Sequence, residues 1–185
     1  MKFYLFIVFF VVLISCNKNQ DKSNNSLELI KSSNVTLFED VSIEARKIVE
    51  GKHISPFFKK YKNGKEYLLP NFEYYGCNIE LVNCLKENTN KKFDIISYAT
   101  SKGKDSLTAY DFVNEYSKTV NTEFEKLNIK SIVSKPNIGE CVIYFINEKE
   151  YVAYVPDINM VKNTNWRNRF NKKKPIDNFW YQGEY

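Results

Sequence analysis

Hydrophobic positions come first as one unbroken run, Phe3 to Ile14, directly after the basic start Met1-Lys2. Twelve helical residues span about 18 Å, short of the ~30 Å of a hydrocarbon core. A basic start and a 7–15-residue apolar stretch predict a secretory signal. A buried helix is a poor alternative, because the run is apolar all round and polar residues follow at once. From Asn17 to Ser26 the chain is a polar tether with nothing to bury. Leu27–Ile30 and Val35–Phe38 are short apolar pieces, read as strand fragments or as the close of the tether.

Beyond them, Asp40 predicts a cap for a helix over Val41–Glu50, with Val41, Ala45, Ile48 and Val49 on one face and Gly51 as its stop. Lys62-Asn63-Gly64-Lys65 signals a hairpin turn between Phe57–Tyr61 and Glu66–Leu69. Two strand-like runs follow, Cys77–Leu85 and Phe93–Ala99, with Lys86–Lys92 as their turn. Asp105 or Ser106 then caps the longest helical pattern, in which Leu107, Tyr110, Val113, Tyr116, Val120, Phe124 and Leu127 recur at spacings of three and four. Ile129–Ser134, Cys141–Asn147 and Tyr151–Val155 read as three strands, the last two joined by a tight turn over Asn147–Glu150. No internal repeat is present. Strands, a long helix and further strands predict an α+β fold: a largely antiparallel sheet packed against one long helix in a two-layer sandwich.

Between residues 77 and 155 this order of hairpin, long helix and three-stranded meander is similar to that of the PsbP-like and DcrB-like small bacterial lipoproteins. A cystatin-like or NTF2-like arrangement uses the same elements. At the end of the signal, Leu13-Ile14-Ser15-Cys16 resembles the lipobox of bacterial lipoproteins, with Leu three residues before the cysteine and a small residue directly before it. The resemblance implies a lipid-anchored envelope protein: Cys16 carries acyl chains on its thiol, and residues 1–15 are removed. Residues 16–26 would then be the lipidated Cys16 and its tether, 27–157 an α+β domain, and 158–185 a basic-aromatic C-terminal segment. Two or three chains hold stably where one is marginal.

Composition sharpens the source and the side. The chain has 24 Lys to 3 Arg and 22 Asn to 4 Ala, a bias expected of AT-rich coding DNA, and with the lipobox it resembles the Bacteroidetes. Surface-exported lipoproteins of that group often carry an acidic cluster just after the cysteine. Asn17–Asp21 holds a single acid, so a periplasm-facing anchor is expected.

In an oxidising envelope Cys77, Cys84 and Cys141 are the disulfide candidates, an odd number. Cys77 and Cys84 are close in sequence, yet within one strand they would stand about 23 Å apart at ~3.3 Å per residue, against the ~7 Å limit for a disulfide. So the strand fails between them, one of them meets Cys141, or all three are buried thiols.

Enzyme signatures are scarce. The six glycines form no phosphate loop, and no Gly-x-Ser-x-Gly is present. Ser101-Lys102-Gly103-Lys104 spells Ser-x-x-Lys, a match expected by chance among so many lysines. His53, the one histidine, reads as a helix-end or solvent residue. No catalytic set, cofactor or metal ligand set can be assembled. Charge is the stronger signal. Residues 17–157 hold 20 basic and 20 acidic residues, whereas 158–185 hold 6 and 2. The excess sits on Arg167, Arg169, Lys172, Lys173 and Lys174, with Lys162 nearby, and is interleaved with aromatics that include Trp166 and Trp180. These are candidates for a surface that takes a protein or an anionic envelope ligand. The other reading packs the aromatics on the sheet and leaves the lysines in water. Nucleic acid is not expected in the envelope. The leading expectation is a non-enzymatic binding protein. An immunity-type protein that neutralises an envelope-targeted toxin and an enzyme of unfamiliar type are the alternatives.

Overall fold

The computed structural model describes residues 25–77 and 81–185. The signal, Cys16 and all but the last residues of the tether lie outside the described residues. Two short helices open the chain, α1 over 25–31 and α2 at Val35–Phe38. They stand where strand fragments or the close of the tether were expected, and they bury Ile30 and Phe38.

Nine strands follow: β1 Val41–Glu44, β2 Lys47–Val49, β3 Lys52–Ile54, β4 Phe57–Lys62, β5 Lys65–Pro70, β6 Ser131–Val133, β7 Val142–Phe145, β8 Glu150–Tyr154 and β9 Trp180–Glu184. Between β5 and β6 run α3 Leu81–Asn88, α4 Ile95–Ser101 and α5 Ala109–Leu127, and α6 Thr164–Asn171 precedes β9. Seven strands form one sheet in the order β5-β4-β1-β6-β7-β8-β9, with β2 and β3 as a separate hairpin. Every pairing is antiparallel. The fold class is therefore the α+β sandwich expected, with α5 lying against the sheet.

The long helix and the C-terminal meander form as their patterns predict. Asp105 Oδ1 accepts the N–H groups of Leu107 and Thr108 at 2.9 and 2.8 Å, so the expected cap acts one turn ahead of α5. Val113, Val120, Phe124 and Leu127 are buried, and Tyr110 and Tyr116 half-buried. Leu107 does not belong to this stripe; it precedes the helix and is 91% exposed. The Asn63-Gly64 turn also forms, with both residues at positive φ.

Three expected elements are different. Val41–Glu50 is not a helix. Ile43 pairs with Phe58 on one side and Ile132 on the other, so sheet contacts remote in sequence override the helical spacing. Glu50 and Gly51, both at positive φ, close the β2–β3 hairpin as a two-residue turn. Phe93–Ala99 is not a strand but leads into α4. Cys77–Leu85 is not a strand either: it leaves a turn at Gly76 and enters α3. Cys77 and Cys84 form a disulfide with their Cα atoms 5.5 Å apart, and Cys141 is a buried free thiol. Of the three alternatives, the strand is the one that fails. The hairpin in the lipoprotein-like layout from residue 77 is therefore absent, and its place is taken by helices.

The sheet separates two cores. The larger lies between the sheet and α1 to α5, and includes Val41, Ile43, Leu69, Tyr98, Val120, Phe124, Tyr144 and Trp180. The smaller lies on the opposite face, where Ile143, Tyr151 and Ala153 meet Trp166 and Phe170 of α6. Because β9 pairs along β8, the last strand of the segment 158–185 is an edge strand of the seven-stranded sheet. Both sheet edges are blunted. Leu68 of β5 donates its N–H to Asp94 Oδ2 and accepts the Asp94 N–H on its carbonyl, while Ile176 and Arg169 donate to the carbonyls of Trp180 and Glu184 on β9.

Candidate functional site

The candidate site is the surface of α6 beside β9. Asn163 caps α6, its Oδ1 accepting the Trp166 N–H at 3.1 Å. Trp166 and Phe170, four residues apart, then point into the smaller core. Their rings stack at 5.5 Å, and Trp166 meets Tyr151 edge-on at 5.1 Å. With that face buried, Asn165, Asn168, Arg169 and Lys172 fall on the outward face. Together with Asn163, Tyr185 and an edge of Trp166 they line an open depression of about 510 Å³.

Arg169 is held on three sides. Its guanidinium lies 5.6 Å from the Trp166 ring and 5.0 Å from the Tyr185 ring, and Nη1 donates to the Glu184 carbonyl at 3.1 Å. Its other N–H groups remain available. A planar guanidinium held against rings suits carboxylate or phosphate oxygens.

The other sequence candidates are not gathered here. Trp180 lies on the opposite face of the sheet, in the larger core with Tyr144 and Tyr154. Trp166 is 9% exposed and Trp180 8%, so both are packing residues and neither offers a free ring face. Arg167 Nε donates to the Val161 carbonyl at 2.7 Å, tying α6 to the preceding turn. Lys173 folds back across β9: a Cβ on Gly183 would stand 2.6 Å from its Nζ and 2.8 Å from the Tyr151 hydroxyl. Lys172 and Lys174 are exposed. The aromatics thus pack as the structural reading expects, while Arg169 and Lys172 keep an outward surface. Asn163, Asn165, Asn168 and Tyr185 were not singled out by sequence. The 165, 168, 169, 172 spacing on a capped helix was the signal for them.

Among the described residues, none of Arg167, Arg169, Lys172, Lys173 or Lys174 has a carboxylate partner. Lys31, Lys59, Lys118, Lys126 and Lys130 elsewhere each have one. The acid nearest in sequence, Asp177, is taken by Lys31 at 3.0 Å.

Elsewhere, a cleft of about 410 Å³ at one end of the sheet is lined by Glu39, Asp40, Glu140, Lys162 and Cys141. Burial pushes the Cys141 thiol up to about 12, so it is a packing group at neutral pH. Ser101 Oγ donates to the Tyr98 carbonyl at 2.7 Å, and Gly103 ends α4 at φ +74°; the Ser-x-x-Lys stretch is a helix terminus. His53 sits half-buried in β3 rather than at a helix end, and its N–H meets Asn128 Oδ1 at 3.2 Å. No group of three or more His, Cys, Asp or Glu able to hold a metal is found among the described residues. No described helix is long and apolar enough to cross a membrane. No family model, characterised protein or solved structure matches the chain.

Proposed function

We propose that this is a lipid-anchored protein of the bacterial envelope that binds an anionic partner through the outer surface of α6. The carrying observation is the set of cations from Arg167 to Lys174, on and just after a helix fixed by Trp166 and Phe170, that have no carboxylate partner among the described residues. Two core aromatics hold the helix still, so binding there costs little ordering entropy. The Asn side chains beside Arg169 and Lys172 offer donors and acceptors to a hydroxyl-rich acidic ligand, as in an acidic glycan. The Cys77–Cys84 disulfide supports an oxidising compartment, and the lipobox resemblance supplies the anchor.

Two measurements test the two parts. Cells fed labelled palmitate should label the chain, and Cys16→Ser should abolish the label; an unlabelled wild type removes the anchor. Cross-linked native membranes should yield a ligand on the wild type that is lost with Lys172→Glu/Arg169→Glu. Unchanged capture would exclude this surface.

A further inference from the structure

The geometry points to a second anion site, for a phosphate group, where the β4–β5 hairpin meets the turn between α4 and α5. It is independent of the α6 surface. Lys60, Lys62 and Lys65 come from the hairpin, and Lys102 and Lys104 from a turn some forty residues later. Contact between the segments is direct: Lys62 Nζ donates to the Ser101 carbonyl at the end of α4. Lys60 Nζ donates to the Glu39 carbonyl. Each of these ammonium groups still has two N–H donors to give.

The two turn lysines are held as well. Lys102 Nζ lies 5.9 Å from the Tyr98 ring and Lys104 Nζ 5.4 Å from the Phe112 ring, and the two rings stack at 6.3 Å. The turn itself is fixed, because Lys104 N–H closes back on the Ala99 carbonyl at 3.0 Å around Gly103.

Like charges are crowded within this grouping. Lys62 and Lys65 stand directly opposite in register, where like charges repel. Burial and the nearby Lys102 charge both hold the Lys60 amine below the ordinary lysine range, with Asp40 and Glu39 opposing. Among the described residues none of the five has a carboxylate within ion-pair distance. The nearby Asp105 is engaged by Leu107 and Thr108. A cluster of compact ammonium charges fits a multivalent oxyanion better than a single carboxylate. Ser26 lines a cleft with Asn128, Asn147 and Lys149 at the opposite end of the sheet, so a chain anchored through its N-terminal side would hold the lysines away from its own membrane.

The test is calorimetric titration of the detergent-solubilised full chain with inorganic pyrophosphate, and separately with dihexanoylphosphatidylglycerol. Lys102→Gln/Lys104→Gln, both exposed, should weaken pyrophosphate binding at least tenfold without changing the thermal midpoint. Lys172→Gln/Lys173→Gln/Lys174→Gln should leave it unaltered. Binding of the short-chain lipid alone, lost in the same turn variant, would assign the phosphate to a headgroup. Binding of neither probe, or equal weakening by both sets of variants, would overturn the proposal.

Discussion

The two halves of the seven-stranded sheet are covered differently. β7, β8 and β9 lie between the α5 side and α6, and β6 is the transition, with Val133 packed at the edge of the smaller core, whereas β5, β4 and β1 are covered by the larger core alone. The difference shows in single strands. β8 is buried through Tyr151, Val152 and Ala153, while β4 buries only Phe58 and leaves Lys59 and Tyr61 half-exposed on the bare back. A strand covered twice gives up both sets of alternate side chains to packing. A strand covered once keeps one set for water and ion pairs, such as Lys59–Glu66 at 2.6 Å. On its α6 face the doubly covered half therefore presents charge from the covering helix and its C-cap, where Arg169 and Lys172 stand.

The largest contrast is in stability. Phe170, fully buried between α6 and the sheet, should cost about 3–5 kcal/mol when changed to Ala. Tyr61→Ala on the bare back should cost about 1 kcal/mol. Urea unfolding of the two variants decides it, and equal losses would mean that the α6 core adds nothing to the half it covers.

A smaller effect belongs to the half with one cover, where α3 is tied by the disulfide rather than by a second layer. Linking residues 77 and 84 closes a short loop, worth about 2–3 kcal/mol by chain entropy. Cys77→Ser/Cys84→Ser should lose about that much. Reductant should lower the wild-type midpoint and leave the variant unmoved; a wild type indifferent to reductant would show that the link is not used.

The same division governs what could be read from sequence. α5 and strands β6 to β8 were legible because their signals are local: a stripe at three-and-four spacing, and β-branched or aromatic runs between polar turns. Val41–Glu50 was not, because β1 is a strand only through β4 and through β6, some ninety residues away, and Val41, Ala45, Ile48 and Val49 happen to fall at helical spacing. Around Cys77 the alternation of Cys77, Ile79, Leu81 and Leu85 with Asn78, Glu80, Val82 and Cys84 resembled a strand, while the cross-link that forbids one was invisible until a partner was known. Of the site, the charge surplus was legible and the sorting was not. Sequence cannot say that Trp166 and Trp180 enter opposite faces of the sheet, since that depends on where β9 pairs. Nor could it bring Lys60 to Lys102, which takes the hairpin and the α4 terminus meeting in three dimensions.

The smallest effect at neutral pH is at Tyr116, in the half covered once. Its hydroxyl is shut off from solvent beside that of Tyr98, and burial, with Tyr98 and Asp40 adding, raises its pKa far above that of a free phenol. Tyr144, at the centre of the sheet, is raised by burial too. A phenol whose pKa is higher folded than unfolded stabilises fully below its unfolded value of about 10 and loses that contribution as pH rises beyond it. Tyr116→Phe removes a buried hydroxyl without removing the ring, so at pH 7 it should change stability by no more than about 1 kcal/mol. Above pH ~10 it should lose less stability than the wild type, read from urea midpoints at each pH. A variant as alkali-sensitive as the wild type would mean that the phenol reaches water in the folded chain. The singly covered half would then be more open around α5 than its packing shows.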